Sequence, residues 1–229
     1  MALNATSSLN PATRPGTILI VLSTLHFAFF FCSLVAIPIL APGARIPNPF
    51  GLDDGGARSF FLTASTAIRV SDFLQLASAL CLAALTPLLS DTLSSSNKRS
   101  SSSWLALAGG LGTAMMLSLS ALFSWAIASP GATDLGPALH AFQFLPFLLG
   151  GPGWAGFFAI LLAGVSLGAR EVLPRWLIGT GFFLCCVSTL ATLVLLTILV
   201  SPCLPLARFL GFVWLIVTTI YLARRPATA

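Results

Sequence analysis

The chain contains long runs without a charged side chain, and the length of these runs decides what it can fold into. The clearest are 17–41, 104–129 and 176–200, each about 25 residues long. A helix of about 20 apolar residues spans the roughly 30 Å hydrocarbon core of a bilayer. Only 7% of the 229 residues are charged, against about 25% in soluble domains. The sequence therefore predicts an all-α, polytopic transmembrane helical bundle.

Six spans are predicted, in one transmembrane domain over residues 17–224 between short tails at 1–16 and 225–229. Polar connections rich in Gly, Pro, Asp or Ser separate the first three spans, and the second half of the first connection is expected to form an interfacial helix. The other three predicted spans are 68–90, 150–169 and 206–223.

The stretch from Gly136 to Arg175 is too long for one simple crossing and too short for two. Gly150-Gly151-Pro152-Gly153 interrupts it near the middle, and a helix kinks there because proline removes a backbone donor. Two descriptions fit. Either a crossing over 150–169 follows a short interfacial helix at 137–149, which puts the break at the outer surface, or one long tilted helix is kinked at the break.

The distribution of Lys and Arg indicates the orientation. With six spans and an inner N-terminus, the inner segments carry seven basic residues and the outer side carries four. Basic residues favour the cytoplasmic side, so both termini are expected in the cytoplasm. The inner residues are Arg14, Lys98, Arg99, Arg170, Arg175, Arg224 and Arg225, and the outer ones are Arg45, Arg58, Arg69 and Arg208.

Glycines on the third and fourth spans predict a close helix contact. Gly164 and Gly168 have the GxxxG spacing, and Gly109 and Gly112 on the third span lie at a similar distance from the inner surface. Small residues at such positions let two membrane helices approach closely. The alternative is that these glycines reflect only the ordinary glycine content of membrane helices.

One group of polar residues is a candidate site on the outer side. Asp72 and Gln75 are three residues apart, as are His140 and Gln143, so each pair shares a helix face. We expect the two pairs to line a shared pocket that opens outwards, with Arg69 or Arg208 as the counter-charge. In the alternative, these residues only mark the membrane interface, and Arg69 pairs with Asp72 along its own helix.

No cofactor or metal is expected. The five cysteines and two histidines do not have the spacing of metal ligands. A haem bound by both His26 and His140 would need the two histidines at the same depth, and the predicted topology puts them at different depths. His26 lies near mid-membrane and is expected to make an interhelical hydrogen bond.

Motifs for catalysis or nucleotide binding are missing, and the scattered basic residues give no nucleic-acid surface. Three functions remain. The first is a non-enzymatic protein of the bilayer that binds or moves a small molecule or lipid from the outer side. The second is a structural or regulatory subunit that acts through a protein partner. The third, a small membrane enzyme, is disfavoured because convergent titratable groups are few.

Several short motifs resemble a family of bacterial multi-pass membrane proteins of unknown function. They are Leu139-His140, Gly150-Gly151-Pro152-Gly153, Leu173-Pro174-Arg175-Trp176 and the segment 208–214. The resemblance implies a compact six-helix bundle in a bacterial inner membrane. It implies no activity and no catalytic residues.

Overall fold

The computed structural model describes residues 15–45, 54–94, 100–129 and 138–224. Within those ranges the regular structure is helical, and six segments are long and apolar enough to cross a membrane. The predicted all-α transmembrane bundle is confirmed, and the chain is a multi-pass membrane protein. The predicted tails, 1–16 and 225–229, lie almost wholly outside the described residues.

The main helices follow one another with short connections. They are α1 (Pro15–Leu40), α2 (Asp54–Thr63), α3 (Ser65–Leu93), α4 (Ser101–Ile127), α5 (Ala138–Leu148), α6 (Trp154–Gly168), α7 (Arg175–Thr192) and α8 (Cys203–Ala223). A π-helical segment, Leu149–Gly153, joins α5 directly to α6.

Serine and proline mark where several helices begin. Ser100 caps α4, since its side chain accepts from the amide of Ser103, which leaves one fewer unsatisfied donor at the helix start. Pro174 precedes α7 with extended backbone angles, which separates this helix from α6. The connections at these two positions lie at the same end of the bundle.

The six spans form a closed ring, because each packs on the next along the chain and the last packs on the first. An added Cβ at Gly16 of α1 would lie 2.7 Å from the Cα of Ala223 of α8. We call the side of the bundle with these two residues the proximal side. We call the side with Leu40, Ser65 and Ile127 the distal side. A second apolar cluster lies on the distal side and includes Phe60 of α2, Ile127 of α4 and Leu139 of α5.

The fourth span is the most buried of the six. It begins before Gly150, where the first of the two predicted descriptions began the crossing. Its apolar segment runs over Phe142–Gly168, so the break lies inside the span and not at its surface. Of its most apolar window, 61% is buried, more than in any other span. The observed structure matches the other description, a single long helix interrupted at the break. The reason is that a π turn lets the chain stay helical through Pro152.

The fourth and third spans approach so closely that backbone meets backbone. A Cβ at Gly109 of α4 would overlap the backbone of Leu161 of α6, and one at Gly164 would overlap the backbone of Ala106. One turn nearer the proximal side, a Cβ at Gly168 would lie 3.0 Å from Oγ of Ser102. The two helices are therefore antiparallel and stay in contact over at least two turns. Further towards the distal side, a Cβ at Gly112 would overlap the ring of Phe157.

The connection between the last two spans differs from the prediction. The predicted spans 176–200 and 206–223 leave a connection only at 201–205. In the structure, α7 ends at Thr192, and two short 3₁₀ turns, Leu193–Leu195 and Ile198–Val200, follow. Thr197 is extended, and its side chain accepts from the amide of Leu199. This hydroxyl stabilises the reversal in a stretch whose apolar composition gives no sign of it.

Candidate functional site

The predicted polar constellation is divided in two by the fourth span. Asp72, Gln75 and Gln143 belong to the region between α3, α4 and α5, whereas Arg208 of α8 reaches the π-helical segment from the other side of the bundle. Gly150 lies between the two groups. Its carbonyl accepts from Arg208, and an added Cβ on it would lie 3.9 Å from Nε2 of Gln75.

Asp72 is buried near the distal end of α3. Its side chain is only 6% exposed, and the hydroxyl of Ser124 on α4 hydrogen bonds with its carboxyl group. The other carboxyl oxygen, Oδ2, has no hydrogen-bond partner among the described residues. A buried carboxyl group with unused acceptor capacity is costly in an apolar setting, and polar groups of this kind mark functional sites in membrane proteins.

A second set of contacts lies one helical turn deeper. Nε2 of Gln75 donates to Oγ of Ser120 over 3.5 Å, and Ser120 in turn donates to the carbonyl of Pro146 over 2.8 Å. These bonds connect α3 and α4 to the last turn of α5. Gln143, which is 9% exposed, precedes Pro146 by one turn and therefore lies at the level of Ser124.

We call Asp72, Gln75, Ser120, Ser124 and Gln143 the Asp72 cluster. The predicted fourth member of the constellation, His140, is in α5 one turn distal to Gln143. Its side chain lies outside the described residues, so its part in the site stays a prediction.

Neither predicted counter-charge pairs with Asp72 in the structure. Arg69 is exposed, and its guanidinium lies over the ring of Trp125, 4.7 Å from the ring centroid. This contact suits a cation at the membrane boundary. The predicted alternative, in which Arg69 pairs with Asp72 along α3, has no corresponding ion pair in the described part of the chain.

Two aromatic rings cover the guanidinium of Arg208. Its Cζ lies 4.9 Å from the centroid of the Phe30 ring and 4.5 Å from that of Trp154. The guanidinium also donates to the carbonyl of Gly150. This carbonyl is available because of the π turn, since the amide of Trp154 donates to Leu149 and Gly151 and bypasses the usual acceptor four residues back.

His26 makes the interhelical hydrogen bonds that its position predicts. Its Nδ1 lies 2.9 Å from the carbonyl oxygen and 2.8 Å from Oγ of Ser78, and this hydroxyl donates to the carbonyl of His26 over 2.7 Å. Both residues are fully buried. The carbonyl oxygen of Ser78 can only accept, so Nδ1 of His26 donates to it, and the ring connects α1 to α3.

Sequence reasoning missed Ser120 and Ser124 of α4. Their spacing of four residues puts both hydroxyls on the face that meets Gln75 and Asp72. That spacing was a readable signal, but serines are common in the third span and nothing singles out these two. Among the described residues, no group of three or more His, Cys, Asp or Glu side chains could hold a metal ion.

Comparison with protein-family models, with curated proteins and with solved structures gives no match. The functional inference therefore depends on the chain's own residues.

Proposed function

We propose that this membrane protein binds a small polar molecule at the Asp72 cluster and admits it from the distal side of the bilayer. The observation that supports the proposal is the buried carboxyl group of Asp72, whose Oδ2 has no partner in the described ranges. Charged groups are expensive within a bilayer and are retained where they serve a site. Asp72 lies only about two turns from the start of α3, so the path from the distal surface is short.

The chemistry of the cluster indicates the class of ligand. The only acidic member is Asp72, and Gln75 and Gln143 add amide groups that both donate and accept. An acidic site with neutral hydrogen-bonding walls favours a small cation that carries donors, such as a protonated amine. A protonated amine would supply the donor that Oδ2 of Asp72 lacks and would compensate its charge.

The orientation rests on the distribution of basic residues. In the six-span topology, the segments on the side of the termini contain seven of the Lys and Arg residues, and the segments on the opposite side contain four. Basic residues accumulate in the cytoplasm, so we infer that both termini are cytoplasmic and that the distal side faces outwards, across a bacterial inner membrane.

A regulatory or structural role through a protein partner is the second candidate, because the centre of the bundle is closed. Trp154, Phe158 and Leu161 are fully buried there, so a ligand could cross the bundle only if these side chains moved. Under this reading the Asp72 cluster stabilises helix contacts and binds nothing.

Ligand-induced stabilisation of the purified protein separates the two candidates. Thermal unfolding in detergent would be followed with a panel of small organic amines, with Asp72→Asn as the test variant and Asp91→Asn as the control. Asp91 lies on the same helix at its proximal end and is exposed. We expect at least one amine to raise the unfolding temperature of the parent and of Asp91→Asn, and to leave that of Asp72→Asn unchanged. An equal response in Asp72→Asn would contradict the proposal.

A further inference from the structure

The described surroundings of Arg208 leave part of its hydrogen-bonding capacity and its whole charge without a partner. One NH₂ group donates to the carbonyl of Gly150, and the rings of Phe30 and Trp154 cover the guanidinium. The buried Nε atom has no acceptor among the described residues. Rings and a carbonyl attract a cation without neutralising it, so a negative charge is the missing component.

A second donor without a partner lies beside the first. Trp154 is fully buried, and its Nε1 has no hydrogen-bond partner in the described part of the chain. Nε of Arg208 is bonded directly to the Cζ that lies 4.5 Å from the Trp154 ring. The two N–H groups therefore belong to side chains that are in contact, and a buried indole N–H normally has an acceptor.

The aromatic rings packed around these donors exclude large ligands. Trp154 stacks on Phe158 with centroids 4.5 Å apart, and the edge of Phe212 meets Trp154 at 5.8 Å. Within such a packed aromatic setting a hydrogen bond to a charged partner is strong, because the local dielectric is low. Among the described residues, no carboxylate contacts Arg208. The buried Asp72 instead hydrogen bonds with Ser124 of α4.

We propose that Arg208 and Trp154 form a binding site for one small monovalent anion, such as chloride. The anion accepts from Nε of Arg208 and from Nε1 of Trp154, and it compensates the guanidinium charge. Monovalency follows from the single positive charge, and small size follows from the packed rings. The site is separate from the Asp72 cluster and does not depend on the function proposed there.

The test uses the full-length protein in a neutral detergent, equilibrated in sodium gluconate and titrated with sodium chloride at constant ionic strength. The unfolding temperature of the parent is expected to rise saturably with chloride, because an ion that binds only the folded state stabilises it. Trp154→Phe keeps an aromatic ring and removes the N–H donor. The chloride concentration at the midpoint should therefore rise about fivefold, as for the loss of one hydrogen bond. Arg208→Gln should lose the response.

Trp214→Phe is the matched control. The indole N–H of Trp214 already donates to the carbonyl of Leu177 over 2.8 Å, so this variant should unfold at a lower temperature with an unchanged chloride midpoint. A parent protein that responds equally to chloride and gluconate would overturn the proposal, as would an unchanged midpoint in Trp154→Phe. If Arg208→Gln does not fold, the comparison of the two tryptophan variants still decides. A response to anionic lipid that chloride does not reproduce would also count against a free ion.

Discussion

Arg208 of α8 donates a hydrogen bond to the backbone carbonyl of Gly150, in the π-helical segment that interrupts the fourth span. The contact connects the last helix to the most buried helix of the bundle across a long separation in sequence. It also explains how the break is tolerated. The π turn exposes a carbonyl inside an apolar environment, and a charged donor from another helix satisfies it.

Replacement of Arg208 by Gln should therefore lower the free energy of unfolding by about 1.5–3 kcal/mol, the range for hydrogen bonds to charged groups. The free energy would be measured by titration with sodium dodecyl sulfate in mixed micelles. Arg69→Gln is the control, because Arg69 is exposed and its guanidinium lies over the ring of Trp125. The effect of this substitution should stay within about 0.5 kcal/mol. Equal effects of the two substitutions would contradict the structural role of Arg208.

The close approach of the third and fourth spans gives a prediction about glycine. Gly164→Ala should destabilise the protein by about 1–3 kcal/mol, because the added methyl group would overlap the backbone of Ala106. Gly179→Ala on α7 is the matched control, since nothing lies within 4 Å of the added atom. Gly179→Ala should leave the free energy of unfolding unchanged or raise it by up to about 1 kcal/mol, because alanine has the higher helix propensity. The same measurement checks both, and a neutral Gly164→Ala would mean that the two helices are further apart.

The contact between His26 and Ser78 should appear as a coupling energy. A double-mutant cycle with His26→Phe and Ser78→Ala should give an interaction energy of about 0.5–3 kcal/mol, because the two residues share reciprocal buried hydrogen bonds. The control cycle pairs His26→Phe with Ser166→Ala. Ser166 is also fully buried, but its hydroxyl has no partner in the described ranges, so those two effects should add.

The sequence was sufficient for the number of spans and for the residues that form the break, since both depend on composition and on proline and glycine. It was not sufficient for the depth of the break, which lies inside the fourth span. It placed both Arg208 and Asp72 towards the outer side but could not predict that the two would face apart. That outcome depends on how each helix is rotated about its axis, and all-round apolar helices give little periodic signal for rotation. The π turn also could not be predicted, because the same glycine and proline residues are compatible with a kinked α-helix and with a π-helical segment.

The Asp72 cluster was predicted in part, and for a related reason. Spacing of three put Asp72 and Gln75 on one face, and the structure shows both meeting α4. The serines that meet them could not be chosen from sequence, because the register between α3 and α4 is set by close packing such as that of Gly110 against Thr86. Packing of this kind depends on three-dimensional fit and leaves only a weak trace in composition.

The most direct test of a ligand site at Asp72 is the reactivity of a cysteine introduced at Ser124, in a protein whose five native cysteines are replaced by alanine. Membrane-impermeant methanethiosulfonate reagents would be applied to each side of proteoliposomes, with a cysteine at the buried Ser188 as the control. We expect modification of position 124 from the distal side only, several-fold faster with a cationic than with an anionic reagent, and loss of that preference with Asp72→Asn. A cysteine at position 124 no more reactive than the one at position 188 would contradict a site that is open to the distal side.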